Sequence, residues 1–193
     1  IMNSINAKTR YGYHSINGKP YPINDLANQW YLMGINDSVK KQNTKTYHEI
    51  IHEICGLKYG NSEPYLYLPA AKINRADELK KSFKLNEYKK LFLINLGSGN
   101  RWQYKKWTKE GYTELVNILS LRYPENAIGI IAGDEDMEFY FGIEEDLKKF
   151  KRANIIFFGT QNSMVDFICI VSLASEVFTS DSLCFHIATA LSK

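Results

Sequence analysis

The sequence predicts an α/β fold whose second half is a parallel sheet wrapped by helices, and three observations carry this. Four short apolar runs, Leu91 to Leu96, Ala127 to Ala132, Ile155 to Phe158 and Val177 to Thr179, have the length and hydrophobicity of strands buried on both faces. Each gives way to a polar or glycine-bearing loop: Gly97-Ser98-Gly99-Asn100, Gly133-Asp134-Glu135, Gly159-Thr160 and Ser180-Asp181-Ser182. Between the runs lie stretches suited to helices, the alternation that right-handed β-α-β crossovers require.

Taken in order, residues 1 to about 46 read as irregular and polar, broken by Gly12, Gly18, Pro20 and Pro22. Within them Leu26 to Met33 makes a short helix ended at Gly34. Thr46 opens a helix reaching about Cys55, with Ile50, Ile51 and Ile54 on one face and Gly56 as its C-terminal cap. Alternation from Tyr65 to Leu68, stopped by Pro69, predicts a short extended segment. Asn74 to Phe83 is a charged helix, with Asp77 and Glu78 early and Lys80, Lys81 and Lys84 late, as the helix dipole favours. The polar run Leu85 to Lys90 links two domains, residues 1–88 and 89–193. In the second domain, helices are expected over Thr108 to Leu121, around Ile143 to Phe150, and from Met164 to Ala174 with Ser163 as cap. A last helix follows Ser182, with Leu183, Ile187, Ala190 and Leu191 on its apolar side.

Composition excludes some classes. The chain has 193 residues, 45% hydrophobic and 23% charged, ordinary for a globular protein able to bury a substantial core. A formal charge of +3 is too small to argue for nucleic acid, and no such partner is expected. No apolar run approaches the roughly 20 residues that span a bilayer, and the first residues carry no signal-peptide pattern. Cys55, Cys169 and Cys184 are widely spaced and odd in number; Cys169 and Cys184 lie in apolar runs, so buried free thiols in a reducing compartment are the expectation.

In a parallel sheet the four strand-end loops share one edge, where open α/β folds bind their ligands. Gly97 and Gly99 let backbone approach a ligand, and Lys105 and Lys106 can neutralise a phosphate. The spacing is neither that of a P-loop nor G-x-G-x-x-G, since position 102 is tryptophan. Asp134 and Glu135 offer acceptors for the two hydroxyls of a ribose. Ser180, Asp181 and Ser182 are capping residues before a helix whose free N–H groups and positive end suit a phosphate. Each loop alone is an ordinary polar connection; together they favour an anionic nucleotide ligand.

A second pattern competes. His48-Glu49-Ile50-Ile51-His52 matches H-E-x-x-H, in which two imidazoles one turn apart share zinc and the glutamate activates its water. No third histidine follows at metzincin spacing, and Glu78 is a third ligand only if the intervening chain folds back. Surface histidines bordering an isoleucine stripe are the favoured reading, with a zinc hydrolase as the lesser alternative.

Lys105-Lys106-Trp107, Gly159-Thr160 with Ser163, and Asp181-Ser182 followed by His186-Ile187-Ala188 and Ala190-Leu191 occur in an order that resembles glycosyltransferase family 9, the ADP-heptose:lipopolysaccharide heptosyltransferases. The resemblance covers about residues 91–193, and 8–57 resembles the latter part of the family's N-terminal domain. It implies a GT-B fold: a Rossmann-like C-terminal domain with a parallel sheet, here truncated, plus the remnant of an acceptor-side α/β domain. Lys105 would pair with the donor diphosphate. Ser182, Leu183 and Cys184 would offer it backbone N–H groups, with Ser98 and Asn100 as lesser donors. Asp181 would hold the sugar hydroxyls or position Lys105, Glu135 or Asp134 would bind the ribose, and His186 would pack beneath the loop.

The implied reaction is inverting transfer of a heptose or similar sugar from ADP-heptose to a lipopolysaccharide-type acceptor, without metal or other cofactor. The implied place is the cytoplasm, with peripheral contact at the inner membrane. Two departures stand out: Leu183 where the family has glycine, and the missing start of the N-terminal domain, which supplies the general base. The stretch alone is therefore expected to bind a donor and not to catalyse. The alternative within the same fold is a nucleotide-binding module without turnover.

Overall fold

The computed structural model describes residues 6–99 and 104–193, which form two compact units, Ile1–Glu63 and Pro64–Lys193. The division falls earlier than the expected boundary at residue 88. The helix at Ala70–Ser82 packs Ala76 and Leu79 into the core of the second unit. Leu85, expected in a polar connection, is buried within a short 3-10 turn.

The first unit holds an antiparallel hairpin, β1 (Tyr13–Ile16) and β2 (Lys19–Pro22), then α1 (Asp25–Ile35), α2 (Asp37–Gln42) and α3 (Tyr47–Ile54). The hairpin replaces the irregular stretch expected there. Its two-residue turn is Asn17-Gly18, both at positive φ (50° and 77°), the geometry that matches the twist of paired strands. Pro20 and Pro22, which read as breakers, are tolerated because a two-stranded ribbon is all edge. Ala27, Ile50 and Ile54 make the core, lined by Tyr13, Trp30 and Met33. Asn24 ties it: its side chain accepts from Ala27 N to cap α1 and donates to Ile54 O at the end of α3 (both 2.9 Å). Gly56 closes α3 as expected, at φ 69°, with its N–H on Glu53 O and that of Leu57 on His52 O.

The second unit contains α4 (Ala70–Ser82), β3 (Leu91–Asn95), α5 (Lys109–Arg122), β4 (Ala127–Ile131), α6 (Met137–Lys148), β5 (Ile155–Gly159), α7 (Met164–Leu173), β6 (Glu176–Phe178) and α8 (Leu183–Ala190). Residues 65–68 form no strand, although Leu66 N donates to Ala190 O at the end of α8. Thr108 and Ser163 cap α5 and α7 through their hydroxyls. The sheet is parallel throughout in the order β5-β4-β3-β6, with Leu93 opposite both Gly129 and Val177.

That order fixes which face each helix covers. The steps β3 to β4 and β4 to β5 run one way across the sheet; β5 to β6 runs back past both strands. With right-handed crossovers, α5 and α6 lie on one face and α7 on the other. The cores agree. Phe92, Ile94, Ile128 and Ile130 pack with Val116, Tyr140, Ile143 and Leu147, whereas Leu91, Leu93 and Ile131 pack with Ile170, Val171 and Ile187. The chain changes direction between β3 and β6, so their exit loops diverge and leave a crevice. The Gly97 loop and the start of α8 border that crevice.

Candidate functional site

The crevice at the carboxyl edge is a cleft of about 350 Å³. Its walls include Gly97, Ser98 and Gly99 after β3, Asp134, Glu135 and Asp136 after β4, Thr160 and Asn162 after β5, and Ser182, Leu183 and Cys184 after β6. All four strand-end loops named from the sequence meet there.

Asn95, the last residue of β3, fastens two of these loops together. Its buried Nδ2 donates to Gly97 O (2.8 Å) and approaches Thr179 Oγ1 (3.1 Å) and Ser182 Oγ (3.3 Å). Thr179 and Ser182 share a further bond of 3.0 Å. Ser182 therefore spends its hydroxyl on the sheet end and makes no side-chain cap on α8, against the capping role its position suggests. The first helical hydrogen bond runs from His186 N to Ser182 O, so the amides of Leu183, Cys184 and Phe185 belong to the uncapped first turn. Two of those three residues line the cleft, giving it a positive helix end.

Lys105 reaches this wall from a loop 76 residues earlier. Its ammonium donates to Asp181 Oδ2 at 2.5 Å, next in the chain to Ser182, and holds the Asp181 carboxyl below the usual carboxylate range. Lys106 turns the other way. It forms an ion pair with Asp136, whose side chain is only 3% exposed, and its ammonium lies 5.9 Å from the Phe139 ring centroid. Of the two lysines read as phosphate partners, one is paired with Asp181, next in the chain to the cleft residue Ser182, and the other with Asp136 of the cleft wall.

Asp134 and Glu135 are exposed in the cleft, directly before α6, which begins at Met137 and not near Ile143 as expected. Glu135 comes close to Gly99, whose φ is 72°; a Cβ built there would lie 2.8 Å from Glu135 Oε2. Cys184 is buried, and that burial pushes its thiol up to about 12, the state of an inert core sulfur. It and Cys169 are buried free thiols, and Cys55 is exposed.

Two expected placements need correction. His186 is exposed and does not pack beneath the loop; its ring meets Phe185 edge-on at 5.4 Å, and Nε2 is 4.0 Å from Asp181 Oδ1. The inward stripe of α8 is Cys184, Ile187 and Ala188, so Leu183, expected inside, is 53% exposed at the cleft. Asn100 lies outside the described residues. Asn95, Asp136, Thr179 and Asn162 are site residues to which the sequence reading gave no role.

The paired histidines are elsewhere, on α3 of the first unit. His48 is exposed, and the His52 ring spends Nδ1 on the His48 carbonyl (2.7 Å) and lies 5.2 Å from the Tyr59 ring. Among the described residues, no group of three or more His, Cys, Asp or Glu side chains is placed to hold a metal ion.

An open parallel sheet with its cleft at the topological switch point is a Rossmann-like architecture. More particularly, the fold is similar to part of the GT-B-type fold of glycosyltransferase family 9-like structures. The chain is similar to the ADP-heptose LPS heptosyltransferase II of E. coli, at 18% identity and a TM-score of 0.55 over 66% of this chain and 37% of that one. It is also similar to a family 9 glycosyl transferase from Veillonella parvula DSM 2008, at 16% identity and a TM-score of 0.62 over 77% and 42% of the two chains. It thus spans about two fifths of the length of these proteins. No family model matches the sequence, and no curated protein matches it.

Proposed function

We propose that the second unit binds a nucleoside diphosphate sugar and serves as the donor side of a glycosyltransferase. The donor would be ADP-heptose or a similar sugar nucleotide, and the acceptor a lipopolysaccharide-type glycan. The observation that carries this is the convergence of Lys105 with Asp181 and Ser182 beside the uncapped start of α8, from loops far apart in sequence. A cation held beside a helix N-terminus suits a diphosphate, which needs charge neutralisation and several N–H donors at once.

In this reading the diphosphate accepts from the amides of Leu183 and Cys184 and takes the ammonium of Lys105. Asp134 or Glu135 accepts from the ribose hydroxyls, and Ser98 and Asn100 add donors to the phosphate. Asp181 keeps Lys105 at the mouth until the phosphate arrives, then faces the transferred sugar. As the glycosidic bond breaks, negative charge grows on the departing diphosphate. Lys105 and the α8 dipole oppose that charge where it develops, which is how a fixed electrostatic site accelerates such a step. No residue of this chain is assigned as base for the acceptor hydroxyl. The proposed place of work is the cytoplasmic side of the inner membrane; among the described residues no helix is long and apolar enough to cross a membrane.

Leu183 supports a second reading. Its exposed side chain stands where the resemblance expects glycine, so it narrows the approach to the phosphate site. A protein that binds the nucleotide and does not turn it over is the form this reading takes. Calorimetric titration of ADP, UDP and GDP against the purified chain tests the shared premise. Saturable binding of ADP, tighter than of the other two, is expected; no binding of any of the three overturns it.

A further inference from the structure

The carboxylate of Asp136 is buried in the wall of the cleft, and the donor reading gives it no task. Each of its oxygens has a distinct neighbour. Oδ1 takes the ammonium of Lys106, itself 15% exposed. Oδ2 accepts from Gly99 N at 3.3 Å and fills the space beside Gly97 where any Cβ would have to go. One carboxylate thus bonds the phosphate-facing loop at Gly99, excludes a side chain at Gly97, and anchors the segment that carries Lys105. Trp107 continues the same segment onto α5, where its indole lies so close to Gly111 that a Cβ there would meet the ring at 2.6 Å. The three consecutive residues Lys105, Lys106 and Trp107 therefore attach to the starts of three different helices, α8, α6 and α5.

We propose that the Asp136–Lys106 pair is a positioning device for the diphosphate subsite, fixing the Gly97–Gly99 backbone and turning Lys105 outward toward α8. This rests on the donor-site reading above and extends it to residues that need not touch the ligand. The physical case is the asymmetry of buried ion pairs. Removing either partner leaves the other charge uncompensated in the wall, and the loop must then move to find water or a new partner. Because the loop and Lys105 share that anchor, both phosphate contacts shift together. In the donor reading, Asp134 and Glu135, which precede Asp136 in the same loop, are the ribose acceptors, and Glu135 also borders Gly99.

Calorimetric titrations of ADP and adenosine against the whole chain test this, with Asp136→Asn, Lys106→Met and Lys106→Arg. The wild type should prefer ADP. Asp136→Asn and Lys106→Met should each weaken ADP about tenfold or more and change adenosine by less than about twofold, since only the phosphate contacts depend on the pair. Lys106→Arg should restore most of the ADP affinity. ADP affinity kept in both single variants, or an equal loss for ADP and adenosine, overturns the positioning role and leaves the donor reading standing. A wild type that binds ADP no better than adenosine overturns the donor reading and this proposal with it. If Asp136→Asn fails to fold, the Lys106 pair of variants gives the same comparison from the more accessible end of the ion pair.

Discussion

Lys105→Ala is the perturbation with the clearest expected size. The ammonium is held by Asp181 at 2.5 Å, directly before Ser182, so the free protein already spends its ordering entropy to place it there. A charge-assisted hydrogen bond to phosphate contributes about 1.5–3 kcal/mol. The Lys105 side chain is 39% exposed, and solvent screening places the effect at the low end, about tenfold in affinity. Truncation should also flatten the salt dependence of binding, because one screened charge is gone. Calorimetry with ADP at two ionic strengths reads both quantities. An ADP affinity unchanged within about twofold, with an unchanged salt slope, would refute the assignment of Lys105 to the diphosphate.

Other consequences are simpler to check. Only Cys55 of the three cysteines is exposed, so a disulfide reagent at pH 8 should modify one thiol per native chain and three after denaturation; rapid native reaction at Cys184 would contradict its burial. Gly129 sits in the middle of β4 where a Cβ would lie 2.5 Å from Phe158 Cε2 and 2.9 Å from Leu91 Cδ1. Gly129→Ala should cost about 1–2 kcal/mol after the entropic gain of losing a strand glycine, and lower Tm by about 2–4 °C per kcal/mol; an unchanged or higher Tm would show the core to be looser than described. Hydrogen bonds from Lys109 and then Lys149 lower the Asp146 pKa to about 2, below the usual carboxylate range. A depressed carboxylate stabilises the fold above its unfolded pKa and loses that contribution as pH falls through the folded value. Asp146→Asn should therefore shrink the fall in Tm between about pH 4 and pH 2, by a small amount because the group is exposed; an unaltered pH profile would dismiss the pair as a stabilising contact.

The strands of the second unit are legible because each is a short apolar run, buried throughout in the central β3 and β4, a pattern that needs no partner to be recognised. The hairpin was not, although Asn17-Gly18 is a strong two-residue turn signal; Pro20 and Pro22 outweighed it, and exposed edge strands carry little apolar alternation. The loops of the cleft could be named from their positions after strands. Their internal wiring could not. Asp136 is one of four acids between Asp134 and Glu138, and nothing in that run marks the one that folds inward. Asn95 reads as a polar interruption of a strand, and its bonds to Thr179 and Ser182 span more than 80 residues. For α8, eight residues of mostly small and apolar side chains leave the buried stripe ambiguous, so the sequence points Leu183 and His186 inward and the structure exposes both.

A crystal structure of the chain with ADP bears most directly on the account. It should show the diphosphate within hydrogen-bonding reach of the Leu183 and Cys184 amides, with the Lys105 ammonium moved from Asp181 onto a phosphate oxygen. A diphosphate seated away from the start of α8, with Lys105 still on Asp181, would contradict it.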